Sequence, residues 1–175
     1  EWFRPMVQAW RAAEIFPEFS AGNTTLTNPG GEGSVAVPAN YPESYATGAT
    51  DINNAVASFS LRGPSPYGEI KPDISAPGVN IRSSVPGGVY EGGWNGTSMA
   101  GPHVAAVVAL LKQVNANLTV DEIENILALR GDVVERNENR ENWDYHHANE
   151  LIEEIKQFGG FCIGGACYPE GHPDS

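Results

Sequence analysis

The stretch Gly96-Thr97-Ser98-Met99-Ala100-Gly101-Pro102-His103 constrains this chain more than any other. It leads without a break into Val104, Val107, Val108 and Leu111, which fall at i, i+3, i+4 and i+7, the spacing of one apolar helix face. The helix expected over residues 98–113 therefore carries a hydroxyl at its start. There the free backbone N–H groups and the positive end of the helix dipole can stabilise developing negative charge. Gly96, Ala100 and Gly101 are small enough to let another backbone approach. A lone serine ahead of a helix usually serves as its N-cap, so the chemical reading depends on what accompanies it.

The surrounding sequence is rich in turns. There are 20 Gly and 13 Pro in 175 residues, which disfavours a helical bundle. The length suits one domain, and a hydrophobic share of 41% suits a packed core. Residues 2–16 carry Met6, Val7, Trp10 and Ala13 at helical spacing, whereas residues 19–42 read as loops. Apolar runs over residues 45–49, 55–61 and 79–85, each bounded by turn signals, predict strands. Thr119 with Glu122 forms a capping box, with Ile123, Ile126 and Leu127 as the apolar side of the helix it opens. Residues 135–142 read as a solvated loop, 147–158 as a helix and 161–168 as an apolar, strand-like run.

Charge limits the partners. Asp and Glu outnumber Lys and Arg 22 to 10, a formal net charge of -12. That leaves no basic footprint for nucleic acid or for an anionic membrane. No apolar run is long enough to cross a bilayer. The start, Glu1-Trp2-Phe3-Arg4-Pro5, has neither an initiator Met nor a signal peptide, and reads as the middle of something longer. Cys162 and Cys167 could pair, but two thiols in a strand-like run are more often reduced. A metal site there would have only His172 as a third ligand. The sequons at Asn23, Asn95 and Asn117 read as coincidental, and His146 and His147 as solvent-facing.

The motif around Ser98 resembles the catalytic-serine block of the subtilase family, and other stretches agree in order. Ser20-Ala21-Gly22-Asn23 resembles the family's oxyanion-hole segment. Lys71-Pro72-Asp73-Ile74-Ser75-Ala76-Pro77-Gly78 resembles the Pro-rich turn before the serine block, and Tyr41-Pro42 through Gly48-Ala49 a strand entry. The resemblance covers about residues 1–122. It implies that Ser98 is the nucleophile, that Asn23 donates to the oxyanion, and that Ser20, Ala21 and Gly22 line a wall of the substrate pocket. It also implies a secreted endopeptidase acting on peptide or protein substrates without a cofactor. The family's order is Asp, then His, then Ser, so an upstream fragment carrying the Asp and His is an implied partner. His103 lies in the serine motif itself, where the family uses it structurally.

Beyond residue 122 a second resemblance takes over. Asn125-Ile126-Leu127-Ala128-Leu129-Arg130-Gly131-Asp132 is similar to a strand-end block of methylenetetrahydrofolate reductase, and so is Phe161-Cys162-Ile163-Gly164-Gly165-Ala166-Cys167-Tyr168-Pro169-Glu170-Gly171-His172-Pro173. That family is a (βα)8 barrel binding FAD, with strand-end residues facing the cofactor. It implies flavin-side positions at Arg130, Gly131, Asp132, Tyr168 and His172, with FAD held only were the barrel complete, and a cytoplasmic protein.

The expected fold class is α/β: the C-terminal half of a subtilisin-like parallel-sheet fold over residues 1–122, joined to a strand–helix–strand piece of a (βα)8 barrel over 123–175. The expected function is that of a serine endopeptidase of the subtilisin type, inactive as this isolated chain. The alternatives are a flavin-dependent reductase fragment or a non-catalytic fused chain. The two parentages conflict at Ile126 and Leu127, where one asks for helix and the other for strand. Helix is expected through about Leu127, because its cap is local.

Overall fold

The computed structural model describes residues 2–136, 161–163 and 166–168, with side chains described through residue 128. The elements in order are α1 (Arg4–Ala12), β1 (Glu18–Ser20), β2 (Tyr45–Thr50), β3 (Ile74–Pro77), β4 (Ile81–Val85), β5 (Val89–Trp94), α2 (Thr97–Val114), α3 (Val120–Arg136), β6 (Phe161–Ile163) and β7 (Ala166–Tyr168). Strands β1, β2 and β3 form a parallel sheet in that order, with Phe19 opposite Ala46 and Ala49 opposite Ala76. The α/β class and the parallel sheet expected from the sequence are present.

Every residue of β2 is buried, as a parallel strand covered on both faces must be. Its composition, Tyr-Ala-Thr-Gly-Ala-Thr, keeps the side chains small enough for α2 to lie across it. Ala100, Val104, Val108 and Leu111 of α2 pack with Tyr45 and Ala49 of β2, and Leu118, Ile123 and Leu127 close the same core. A second cluster on the sheet joins Ala21, Val35, Ala39 and Ala46, with Phe19 beside it. Val107, placed on the buried face by sequence spacing, is 37% exposed.

Residues 55–61 form no strand. Asp51 Oδ1 accepts the amides of Asn53 and Ala55, an Asx turn that bends the chain, and Ser60 N donates back to Ala57 O. What survives of strand pairing there is two isolated bridges, Thr50 to Val56 and Asn23 to Ser60. Residues 81–85 do form a strand, but in an antiparallel hairpin with β5 and not in the main sheet.

The capping box forms as the sequence predicts: Thr119 N donates to Glu122 Oε2 at 2.8 Å and Glu122 N to Thr119 Oγ1 at 3.2 Å. Glu14 Oε2 accepts Val120 N, a second satisfied donor at the start of α3. Arg11 of α1 reaches both Asp121 and Glu124 at 2.5 Å, so α1 and α3 are clasped by charge. A groove of about 310 Å³ between them is lined by Arg11 and Asp121 together with Gln8, Glu14 and Glu43.

Several expectations for the tail are corrected. Helix prevails at the conflicting positions and continues well past Leu127, to Arg136. Its cap and its buried Ile123 and Leu127 are local, whereas a buried strand needs neighbours on both sides. Arg130, Gly131 and Asp132 therefore lie on a helix, not at a strand end, and the boundary expected at 122/123 falls inside α3. Tyr168 ends an antiparallel pair in which Phe161 faces Tyr168 and Cys162 faces Cys167, whereas a (βα)8 barrel pairs its strands in parallel. His172, the helix expected over 147–158, His146 and His147 lie outside the described residues, as do the side chains of the two cysteines.

Candidate active site

α2 begins where β1 ends. Gly96 is its N-cap, with Thr97 and Ser98 as the first two helical residues. Gly96 N donates to Gly78 O, and Gly78 N to Thr50 O, so the approach to the helix is tied to the ends of β2 and β3. Ser98 is exposed and Thr97 fully buried. The two neighbours thus divide the work, one fixing the turn while the other faces solvent at the positive end of the helix.

Thr97 holds the end of β1 and the segment after it by four hydrogen bonds. Ser20 Oγ donates to Thr97 O at 3.1 Å, and Gly22 N donates to Thr97 Oγ1 at 3.2 Å. Thr97 N donates to Asn23 Oδ1 at 2.9 Å, and Thr97 Oγ1 donates to the same atom at 3.2 Å. A backbone N–H can only donate, so the atom facing it must be the amide oxygen of Asn23. With Oδ1 doubly engaged, Nδ2 is left for another acceptor, and it lies 3.7 Å from where a side chain on Gly96 would stand. Gly22 makes this turn possible: it sits at φ +100°, and a Cβ there would meet Ala36 and Leu61 at 2.9 Å.

The structure therefore brings together Ser98, Asn23, Ser20 and Gly22 of the residues singled out by sequence. Ala21 departs from its expected place. It is completely buried and packs with Val35, Ala39 and Ala46, because successive side chains along an extended segment point to opposite sides. Only its backbone can line a pocket. Arg130, Gly131, Asp132 and Tyr168 belong to other elements, as described above.

Two residues were missed. Thr97 was read only as part of a motif. Its signal was the invariable need of a helix start for partners to its free N–H groups, which here come from a different segment. Glu18 gave no signal at all: it is the first residue of β1, and its carboxylate lies against the first turns of α2. A Cβ on Gly101 would stand 2.7 Å from Glu18 Oε1, so a larger residue there would displace the Glu18 carboxylate. Glu18 Oε1 is buried with no hydrogen-bond partner among the described residues. Burial pushes the Glu18 carboxyl above its ordinary range, the neighbouring Thr47 hydroxyl opposing in part.

That shift has a sign. A raised folded-state value means the folded chain keeps a proton that the unfolded chain has already lost. Stability then falls as pH rises from the ordinary glutamate value through the raised one, and the penalty is complete above it. Glu18→Gln in this chain should therefore be more stable than the parent at about pH 8 and indistinguishable from it near pH 4. Urea midpoints at the two pH values check this, and equal midpoints at the higher pH would contradict it.

His103 is the sole histidine among the described residues, and its Nδ1 lies 2.8 Å from Met99 O on its own helix. It is spent on the helix backbone one turn beyond Ser98. The arrangement is that of a parallel α/β protein with an exposed hydroxyl at a helix start and a fixed side-chain amide near it.

Comparison with known proteins gives the family. The subtilase family matches residues 2–143, and the chain belongs to it. Bacillopeptidase F of Bacillus subtilis (strain 168) is 77% identical over 127 residues, which is 73% of this chain and 9% of that protein. M-protease of Shouchella clausii is 50% identical over 97 residues, 55% of this chain and 24% of the relative. Subtilisin Savinase of Lederbergia lenta is 48% identical over 97 residues, 55% of this chain and 34% of the relative. The chain thus spans between about a tenth and a third of the length of these relatives. The family match runs past residue 122 and takes in Arg130, Gly131 and Asp132. Among the described residues, no helix is long and apolar enough to cross a membrane.

Proposed function

We propose that this chain is the serine-bearing portion of a secreted, subtilisin-type serine endopeptidase acting on peptide or protein substrates. The observation that carries the proposal is the double engagement of Asn23 Oδ1 by Thr97, which leaves the Asn23 NH2 group as a donor beside the start of α2. In this reading Ser98 Oγ attacks the scissile carbonyl carbon, and its proton passes to a general base outside the described residues. The carbonyl oxygen becomes an oxyanion that accepts from Asn23 Nδ2 and from the backbone N–H of Ser98, since the N–H groups of Thr97 and Met99 are already engaged. The base then gives the proton to the leaving amine, and water repeats the sequence on the acyl-enzyme. A histidine oriented by an aspartate, both in an upstream part of the protein, is the base the family pattern supplies. The reaction calls for no cofactor. Ser20 and the backbone of Ala21 and Gly22 form a wall of the pocket for the residue before the scissile bond.

The flavin reading is not adopted, because it asks for Arg130, Gly131 and Asp132 at a strand end and these lie on α3.

The roles of Asn23 and Thr97 can be separated kinetically in the full-length protein. Asn23→Ala should lower kcat by about 10²–10³-fold with little change in KM, a magnitude known for the equivalent donor in another subtilase and not deduced from this geometry. Thr97→Val removes one of the two donors that fix the amide and should lower kcat by roughly 10-fold. Acting through Asn23, it should add almost nothing in the Asn23→Ala background. Full multiplication of the two effects would refute the positioning role, and an unchanged kcat in Asn23→Ala would refute the oxyanion role.

A further inference from the structure

Cys162 and Cys167 stand opposite each other across β6 and β7, in the antiparallel register that also pairs Phe161 with Tyr168 and Ile163 with Ala166. Sequence spacing alone leaves them as two free thiols, and the register changes that reading. Two residues in the sequence, Gly164 and Gly165, connect the strands. Ile163 and Ala166 are therefore positions i and i+3 of a β-turn, a hydrogen-bonded pair of the ladder. Pairs alternate along an antiparallel ladder, so the next pair out, Cys162 with Cys167, is of the non-hydrogen-bonded kind. At such a pair the opposite Cα atoms stand about 4.5 Å apart. A disulfide spans Cα separations of roughly 4.4–6.8 Å.

A slip of one residue would end the opposition and put the two cysteines on different faces of the hairpin. The chain contains 2 cysteines in all, so neither has another partner within it. The hairpin also has use for a link. It comprises the three residue pairs given above, and a two-stranded hairpin on its own is marginal in water. A covalent bond at its middle pair restricts the open chain and so favours the closed one.

We infer that Cys162 and Cys167 form a redox site, a dithiol that a small disulfide such as oxidised glutathione converts into an intramolecular disulfide closing the β6–β7 hairpin. The thiolate of one cysteine attacks the glutathione disulfide, which forms a mixed disulfide and releases one glutathione. The thiolate of the other cysteine then displaces the second glutathione. Two protein thiols are oxidised to one disulfide, one glutathione disulfide is reduced to two thiols, and the two protons pass to the released glutathiones. The inference stands on the backbone register and is independent of the peptidase reading.

The test equilibrates the 175-residue chain in glutathione buffers, traps the remaining thiols by alkylation and reads the intact mass. The oxidised chain before alkylation should weigh about 2 Da less than the reduced one, with no glutathione attached and at a rate independent of protein concentration. Cys162→Ser and Cys167→Ser should each carry a single glutathione instead. Half-reduction is set by the ratio of glutathione squared to glutathione disulfide. That ratio should be at least about 10-fold higher for the folded chain than for the same chain in urea, because the register has already closed the loop. Equal ratios in the two states would overturn the inference, by showing that the strands do not hold the pair together. Disulfide-linked dimers, or two glutathiones on one chain, would overturn it as well.

Discussion

Ser98→Ala in the full-length protein should lower peptide hydrolysis by about 10⁶-fold, a magnitude known for the nucleophile of another subtilase and not deduced from this geometry. The same substitution in this chain alone should change nothing measurable. The difference follows from the base. Ser98 Oγ is a weak nucleophile until something removes its proton. His103, the one described histidine, lies on the same helix with Nδ1 against Met99 O. Its ring is thereby directed along the helix backbone. The chain on its own therefore keeps the hydroxyl, the Asn23 amide and the helix dipole, but has no described group to take the proton. Hydrolysis of a chromogenic peptide ester, parent against Ser98→Ala, measures both cases. A parent chain clearly faster than its alanine variant would require a base within these 175 residues. A full-length variant that stays active would remove Ser98 from the chemistry.

What could be read from the sequence was what is local or densely patterned. The 3.6-residue spacing of Val104, Val108 and Leu111 located α2 to within a residue at each end, and Thr119 with Glu122 located the start of α3. Both signals act within four residues. The order of Ser20–Asn23 before Ser98 foretold that the two segments meet, but not that Thr97 joins them. Thr97 binds residues 74 to 77 positions away, and a contact at that distance leaves no periodicity in the chain. The strands β1 and β3 went unread because they are three and four residues long, with too few positions for alternation to show. Residues 55–61 failed in the opposite sense: they look apolar enough for a strand, but the Asp51 carboxylate captures the two amides that would have continued one. At the far end, a short apolar run at Ile126–Leu129 was compatible with helix or strand, and the cap at Thr119 decided it.

Lys71→Met should destabilise the chain by about 3 kcal/mol, the low end of the range for breaking a buried ion pair from one side. Lys71 is buried, its side chain 2% exposed. Its Nζ donates to Ser44 O at 2.6 Å and to Asp73 Oδ2 and Oδ1 at 2.8 and 3.1 Å. Asp73 Oδ2 also accepts Ala46 N, and Asp73 N donates to Ala46 O. Gly63 N donates to Lys71 O from a third segment. The ammonium thus joins the entry of β2 to the entry of β3, while the Lys71 carbonyl holds the loop at Gly63. Removing the ammonium leaves the Asp73 carboxylate, 27% exposed, facing an apolar side chain. The partial exposure of Asp73 is why the low end of the range applies. Lys71→Arg should not rescue, because the guanidinium is larger and its fork would have to replace a single ammonium in a filled space. Asp73→Asn keeps an acceptor for Ala46 N, and in the Lys71→Met background it removes the stranded charge. The double variant should therefore regain roughly half the loss, a coupling of about 1–2 kcal/mol. Chemical denaturation of the four proteins measures the cycle. A loss below about 1 kcal/mol in Lys71→Met would show that the ion pair contributes no more than an exposed one. In that case the junction of β2 and β3 would be held by the backbone bonds between Ala46 and Asp73.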